Sequence, residues 1–301
     1  MADIRDTPRS FSLEQLSAAM ADVVAAAAGS VVAVHAGRAR TTGIAWRDGL
    51  VVTSEEALPD DLTGTTDLTV RLPGGASTKA TLVGRDAGTD VALLRLESAA
   101  PSPVTFDATP VRVGSIALAI GSFDGTPTAA AGLVALSGPA WRSLRGGEID
   151  ARIELGLTMR RSAEGGLALD ALGRAIGMSV FGPRRRVIVI PGATIDRVAA
   201  QLAAHGRVPR GYLGVALQPV KAGPEGIGAM VMGVDRDGPA AAAGLHQGDV
   251  ILAWNNEPLR SVQTLLRSLG PASVGTIVRL SLQRAGQPAE AQITIGERPA
   301  D

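Results

Sequence analysis

Between Ser30 and Pro191 the chain alternates short apolar runs with clusters of Gly, Asp and Pro. Examples are Val31-Val32-Ala33-Val34, Gly49-Leu50-Val51-Val52-Thr53, Val91-Ala92-Leu93-Leu94-Arg95-Leu96, Ile116-Ala117-Leu118-Ala119-Ile120 and Val187-Ile188-Val189-Ile190. Closely spaced runs of this kind predict the strands of a sandwich or barrel. The flanks read differently. Ser12-Leu13-Glu14-Gln15 has the form of a capping box, Phe11 and Leu16 are spaced as a hydrophobic staple, and an alanine-rich helix follows to about Ala28 before Gly29 stops it. After the strands, Ile195, Val198, Ala199 and Leu202 share one face of a predicted helix ending at His205, with Thr194 as its N-cap and Gly206 as its stop. Gly206-Arg207-Val208-Pro209-Arg210-Gly211 reads as a linker, and a second, smaller β-rich unit runs from Tyr212 to about Gly296.

Composition sharpens this picture in a few places. A hydrophobic content of 46% over 301 residues supplies cores for two or three domains. Gly 37 and Pro 18 with 3% aromatics suit turn-rich β structure packed with small side chains. Lys+Arg and Asp+Glu both number 29, so no net field favours nucleic acid or anionic lipid. Cys 0 removes disulfides, thiolate nucleophiles and cysteine metal sites together. No cofactor and no metal are expected. The opening Met1-Ala2-Asp3-Ile4-Arg5-Asp6 lacks the basic and apolar regions of a secretory leader, and the apolar run from Leu16 to Ala36 is broken by Asp22. No membrane span is therefore expected, and the location is expected to be cytoplasmic, or periplasmic if a leader has been removed.

Several segments resemble proteases of the HtrA type. Thr42-Gly43-Ile44-Ala45 and Asp48-Gly49-Leu50-Val51-Val52-Thr53 resemble that family's strand pair leading to its catalytic histidine, and Thr89-Asp90-Val91-Ala92-Leu93-Leu94 its catalytic-aspartate strand. Arg161-Ser162-Ala163-Glu164-Gly165-Gly166-Leu167 resembles its nucleophile loop. Further on, Arg210-Gly211-Tyr212-Leu213-Gly214-Val215 and Gly248-Asp249-Val250-Ile251-Leu252 resemble a bacterial PDZ domain. The resemblance covers nearly the whole chain in the family's domain order. It implies an all-β dominated fold, a trypsin-like double β-barrel followed by a small α+β PDZ domain. The expected division is 1–29 as an N-terminal helical segment, 30–193 as the protease-fold domain, 194–211 as linker helix and linker, and 212–297 as the PDZ domain.

At the positions that carry the family's chemistry the chain departs from it. By the resemblance, Glu56 stands where the histidine general base belongs, Asp90 keeps the orienting aspartate, and Glu164 replaces the nucleophilic serine. A carboxylate with an ordinary pKa near ~4.3 offers no hydroxyl for a base to activate. In subtilisin, removal of serine or histidine alone costs on the order of 10⁶ in kcat. The oxyanion-loop positions read Ser162, Ala163 and Glu164, where the family has a glycine at the first. The expectation from these changes is a protein that is not an enzyme, a pseudoprotease acting as adaptor or chaperone-like subunit. The alternatives are an atypical HtrA-type serine endopeptidase and a non-catalytic subunit assembled with an active HtrA paralogue. Glu56, Asp90 and Glu164 are expected to converge, so that one carboxyl pKa rises, a hard cation such as Ca²⁺ enters, or Arg160 or Arg161 folds over to neutralise them.

The PDZ resemblance implies binding of protein C-termini or extended peptides. Tyr212, Leu213, Gly214 and Val215 would hold the terminal carboxylate, and the strand after Gly214 would pair with the incoming chain. Val262, Leu265, Leu266 and Leu269, at helical spacing, are candidates to wall the pocket for the last side chain, with at least two of the four expected to pack the core instead. A trimer through the N-terminal segment, with Phe11 the aromatic available there, is a further implication. His35, His205 and His246 stand at none of the family's catalytic positions, and Arg184-Arg185-Arg186 reads as a solvated hairpin tip.

Overall fold

The apolar runs pair into two closed barrels. The structure is a computed structural model that describes residues 12–62, 68–98, 101–143, 145–222 and 226–299. In the first barrel β1 (Val31–Ala36), β2 (Ala39–Arg47), β3 (Leu50–Thr53), β4 (Leu68–Arg71), β5 (Ser77–Asp86) and β6 (Val91–Leu96) close in the order β1-β2-β3-β6-β5-β4. Val32, Val34, Val51, Val70 and Leu94 fill its interior. The second barrel uses β7 (Ile116–Phe123) and β8 (Thr126–Gly138). After a small pair, β9 (Trp141–Arg142) with β10 (Glu148–Ile149), it continues with β11 (Arg152–Gly156), β12 (Gly166–Asp170), β13 (Ala175–Phe181) and β14 (Val187–Pro191). These close in the order β11-β14-β13-β12-β7-β8. Closure leaves neither sheet a free edge.

Two helices flank the barrels. Helix α1 (Leu13–Ala28) opens on the expected capping box, both bonds between Ser12 and Gln15 measuring 3.1 Å, yet it buries none of its residues. The proposed staple partner and trimer residue, Phe11, lies outside the described residues. Helix α2 (Gly192–His205) begins three residues earlier than expected, with Pro191 as its N-cap. Thr194 is therefore inside the helix. Its hydroxyl donates to Asp150 Oδ2 (2.6 Å) and accepts from the Asp150 amide (3.0 Å), a tertiary use that sequence spacing cannot reveal. The apolar face is read correctly: Ile195, Val198, Ala199 and Leu202 are fully buried. That burial corrects the linker expectation, because α2 packs on β5, β6, β13 and β14 and belongs to the barrels. The chain divides between Arg207 and Val208. Gly206 stops α2 at φ +71°, its amide bonded to Leu202 O at 2.8 Å.

The second unit is a sheet with short helices. After β15 (Gly211–Tyr212) come β16 (Val215–Ala222), β17 (Gly226–Val234), helix α3 (Pro239–Ala242), β18 (Val250–Trp254), β19 (Glu257–Pro258), helix α4 (Val262–Arg267), β20 (Ile277–Arg284), β21 (Gln287–Thr294) and β22 (Gly296–Glu297). The sheet runs β16-β17-β18-β20-β21, which leaves β16 at an edge, and β15 pairs with β22. Pro219 sits within β16, opposite Ala229 of β17. Leu213, Val231, Ile251, Leu265, Leu280 and Ile293 form a core of the unit's own.

Candidate functional site

A cavity of about 990 Å³ is lined from both barrels, and Glu56, Asp90, Ser162, Glu164 and Phe181 all face it. Asp90, just ahead of β6, has φ +58°, a left-handed conformation costly for a residue with a Cβ and characteristic of sites held in place by their surroundings. Its carboxylate accepts from Ser54 Oγ (2.8 and 3.0 Å) and from the Glu56 amide (2.7 Å). Burial pushes this carboxyl up to about 7; those bonds oppose the shift, and the charges of Glu56 and Glu164 add to it. Ser54 itself is fully buried and does not line the cavity.

Glu164 closes the 3-10 turn Arg161–Ala163. Its Oε1 accepts from the Phe181 amide at 3.2 Å. Burial raises its pKa, against the pull of that hydrogen bond; the Glu56 charge raises it further, while Arg161 and Arg185 lower it. The loop's main chain is fastened to β2: Thr41 Oγ1 and the Thr42 amide donate to Glu164 O (2.6 and 2.8 Å), and Thr42 Oγ1 donates to Ser162 O (2.7 Å). Within the turn, the Ala163 amide donates to Arg160 O (3.0 Å) and the Glu164 amide to Arg161 O (3.2 Å). Of the three oxyanion-loop positions, two thus spend their amides inside the loop. The next residue, Gly165, has φ +78°, and a Cβ there would lie 2.3 Å from Thr42 O.

The three carboxylates share one cavity, as the resemblance implies; the charge of the expected Arg161 acts on Glu164, and the arginine paired with Glu56 is a further one. Arg145 reaches Glu56 (3.6 Å) and Glu55 (3.2 Å), and Glu55 is also paired with Arg85 (2.9 Å). Ninety positions separate Arg145 from Glu55, and no motif marks it. Among the described residues no group of three or more His, Cys, Asp or Glu is arranged to hold a metal ion. None of the three histidines lines the cavity; His35 Nε2 lies 2.9 Å from Asp124 Oδ1. The basic run is also more than a solvated tip. Arg185 lines the cavity with its guanidinium 5.0 Å from the Phe181 ring centre, and Arg186 pairs with Glu154 at 3.3 Å.

In the second unit, the candidate carboxylate loop runs from Tyr212 to Val215. Leu213 O accepts from the Ala240 amide (2.8 Å) and Gly214 O from the Asp235 amide (2.9 Å). Among the described residues neither the Leu213 nor the Gly214 amide donates to a main-chain acceptor. Gly214 has φ +74°, so the turn suits glycine. The Tyr212 hydroxyl donates to Asp235 Oδ2. Of the four apolar candidates around α4, Leu265 is buried in the core and is withdrawn as a pocket wall. Val262 and Leu269 pack against that core in part, and Leu266 stays 54% exposed. The helical period identifies the apolar face of so short a helix without saying which residue turns inward.

Residues 41–178 match the trypsin-like peptidase domain, and residues 211–295 match the PDZ domain. A probable periplasmic serine endoprotease, DegP-like, from Brucella suis biovar 1 is 33% identical over 273 residues, which cover 84% of this chain and 52% of that protein. Its counterpart from Pseudomonas fulva is 32% identical over 272 residues, 85% of this chain and 55% of that protein. The chain thus spans about half the length of these curated relatives. Among solved structures, the serine endoprotease from Yersinia pestis superposes with a TM-score of 0.72 at 28% identity, covering 93% of this chain and 98% of that one. The HtrA-type protease AlgW with tripeptide superposes with a TM-score of 0.69 at 26% identity, covering 93% and 98%. Two expectations are overturned by these relatives. The reading of the chain as no enzyme fails against relatives named as serine endoproteases, and the cytoplasmic location fails against relatives named as periplasmic.

Proposed function

The chain is an HtrA-like protein, a trypsin-like peptidase fold with a C-terminal PDZ domain, and from that premise we propose that it captures extended polypeptides by their free C-terminus. One observation carries this reading: among the described residues the Leu213 and Gly214 amides make no main-chain hydrogen bond, and they sit beside β16, a strand with one unpaired edge. Backbone donors at a glycine turn suit a terminal carboxylate, and an open edge suits an added strand. Leu213 is buried and Gly214 needs its positive φ, so Gly214→Pro removes both the donor and the turn. Calorimetric titration with a peptide ending in a free apolar residue tests the reading. Binding is expected to vanish in Gly214→Pro and on C-terminal amidation; equal affinity for the amidated peptide would remove the carboxylate mechanism.

The endoprotease activity named for the relatives comes to this chain as a proposal of an atypical kind. Glu56 and Glu164 hold the positions at which the resemblance puts histidine and serine, so a hydrolytic step would fall to carboxylates acting on water. A group titrating near neutral pH is best suited to such general acid–base work, and Asp90 at about 7 is one. Digestion of an unfolded protein substrate across a pH series tests this. Cleavage should follow an ionisation near 7 and disappear in Asp90→Asn, whereas cleavage indifferent to that change would exclude Asp90 as the acid–base group. The relatives' names further support work in the periplasm, which fractionation of the native host would check.

A further inference from the structure

The cavity that holds the three carboxylates is rimmed by arginine. Arg38, Arg40, Arg145, Arg161 and Arg185 all line it, five cations against three acids. Arg145 is committed to Glu55 and Glu56, and Arg40 donates to the carbonyls of Gly37 (2.8 Å) and Ala39 (2.9 Å). Arg38, Arg161 and Arg185 form no salt bridge with a carboxylate among the described residues. Arg185 is held rather than free. It follows Arg184 in the turn Pro183–Arg185, both at φ +58°, and it stacks on Phe181.

Glu164 already occupies the place these cations address. Its carboxylate sits on the Phe181 amide and feels both Arg161 and Arg185. The cleft therefore contains one anion bound to a strand donor in a cavity that Arg161 and Arg185 also line, and that anion belongs to the chain itself. Val180, Phe181, Ile188 and Ile190 add an apolar wall beside it, which a bare inorganic anion would leave unused.

We propose that the barrel cleft selects polypeptide segments bearing Asp or Glu, whose side-chain carboxylate takes Glu164's place on the Phe181 amide, in the cavity that Arg161 and Arg185 line. The proposal rests on the first unit being a peptide cleft and is independent of C-terminal capture by residues 208–301. Its test is fluorescence anisotropy with the full chain and a labelled, C-terminally amidated peptide that alternates apolar residues with Glu, beside its Gln and Lys counterparts. Amidation removes the end group that the second unit is proposed to read. The Glu peptide should bind about tenfold tighter than the Gln peptide at low salt, and the margin should shrink as salt screens exposed charge. Arg161 and Arg185 are both exposed, so changing them leaves the cores intact. Arg161→Gln with Arg185→Gln should cut the margin to about threefold or less, whereas the paired Lys variants keep most of it. Glu164→Ala, which removes the resident anion, should strengthen binding of the Glu peptide. Equal affinity for Glu and Gln peptides, or a margin that survives the double Gln variant, overturns the proposal. Loss of free-C-terminus binding with the margin intact would instead overturn only the reading of the second unit.

Discussion

A carboxyl group held near neutrality changes how a fold responds to pH, and Asp90 is such a group. Its folded value of about 7 lies above the ordinary 3.8, so between these two values the native state holds a proton that the unfolded chain releases. The stabilisation from Asp90 is complete below the lower value and is lost as pH rises through the upper one. A salt-bridged carboxylate behaves in the opposite sense. The whole effect is on the order of 4 kcal/mol at most. Asp90→Asn keeps an acceptor for the Glu56 amide and loses the ionisation. Its Tm relative to the parent protein should climb from about pH 4 to about pH 7 and then level off, and a flat difference across that range would refute the assignment. Glu164→Gln keeps an acceptor for the Phe181 amide while removing a charge that burial penalises. It should stabilise the fold by about 1 kcal/mol in denaturant titration at mildly alkaline pH. A loss of that size would mean that Arg161 and Arg185 favour the charged form more than burial opposes it.

The loop carrying Glu164 is set by its fastening to β2 as much as by its own sequence. Gly165 is where the two approach closest: its positive φ and the 2.3 Å from a built Cβ to Thr42 O leave no room for a side chain. Gly165→Ala should cost about 3 kcal/mol or more, read as a fall in denaturation midpoint with unchanged slope. An effect under about 1 kcal/mol would show the loop able to move off β2. Much of this scale was legible in the chain. The runs at Val31, Leu50, Val91, Ile116 and Val187 all become strands, since their length and punctuation are local properties. The capping box at Ser12 and the stop at Gly206 are local too. Thr194 has the local look of a cap because the use of its hydroxyl by Asp150, forty-four residues away, leaves no mark in the nearby sequence. Arg145 carries no local mark for the same reason, and Arg185 lies in a basic run on a hairpin, which is ordinarily solvated. The convergence of Glu56, Asp90 and Glu164 was visible only through the family resemblance, which named positions that no periodicity links.

Two compact units built from separate stretches of chain predict two unfolding events. The barrels and α2 lie within residues 1–207, and residues 208–301 have a core of their own. Expressed alone, residues 208–301 should melt cooperatively; a broad, sloping melt would mean that this core is insufficient by itself. The edge strand of that unit has a further consequence. A proline in a ladder is tolerated where its nitrogen faces away from the paired neighbour, because the paired side needs its donors. In β16 the donor missing at Pro219 therefore falls on the outer side, the side an incoming chain would use. From Val215 to Gln218 there remain four residues, roughly 13 Å of strand. The strand is a short ruler. A ligand strand added there as proposed would be gripped over its last few residues only, so lengthening the peptide upstream should leave Kd within about twofold. The same gap denies the edge of a second copy a continuous row of donors, which is one of the devices by which an exposed strand is discouraged from pairing with its own kind.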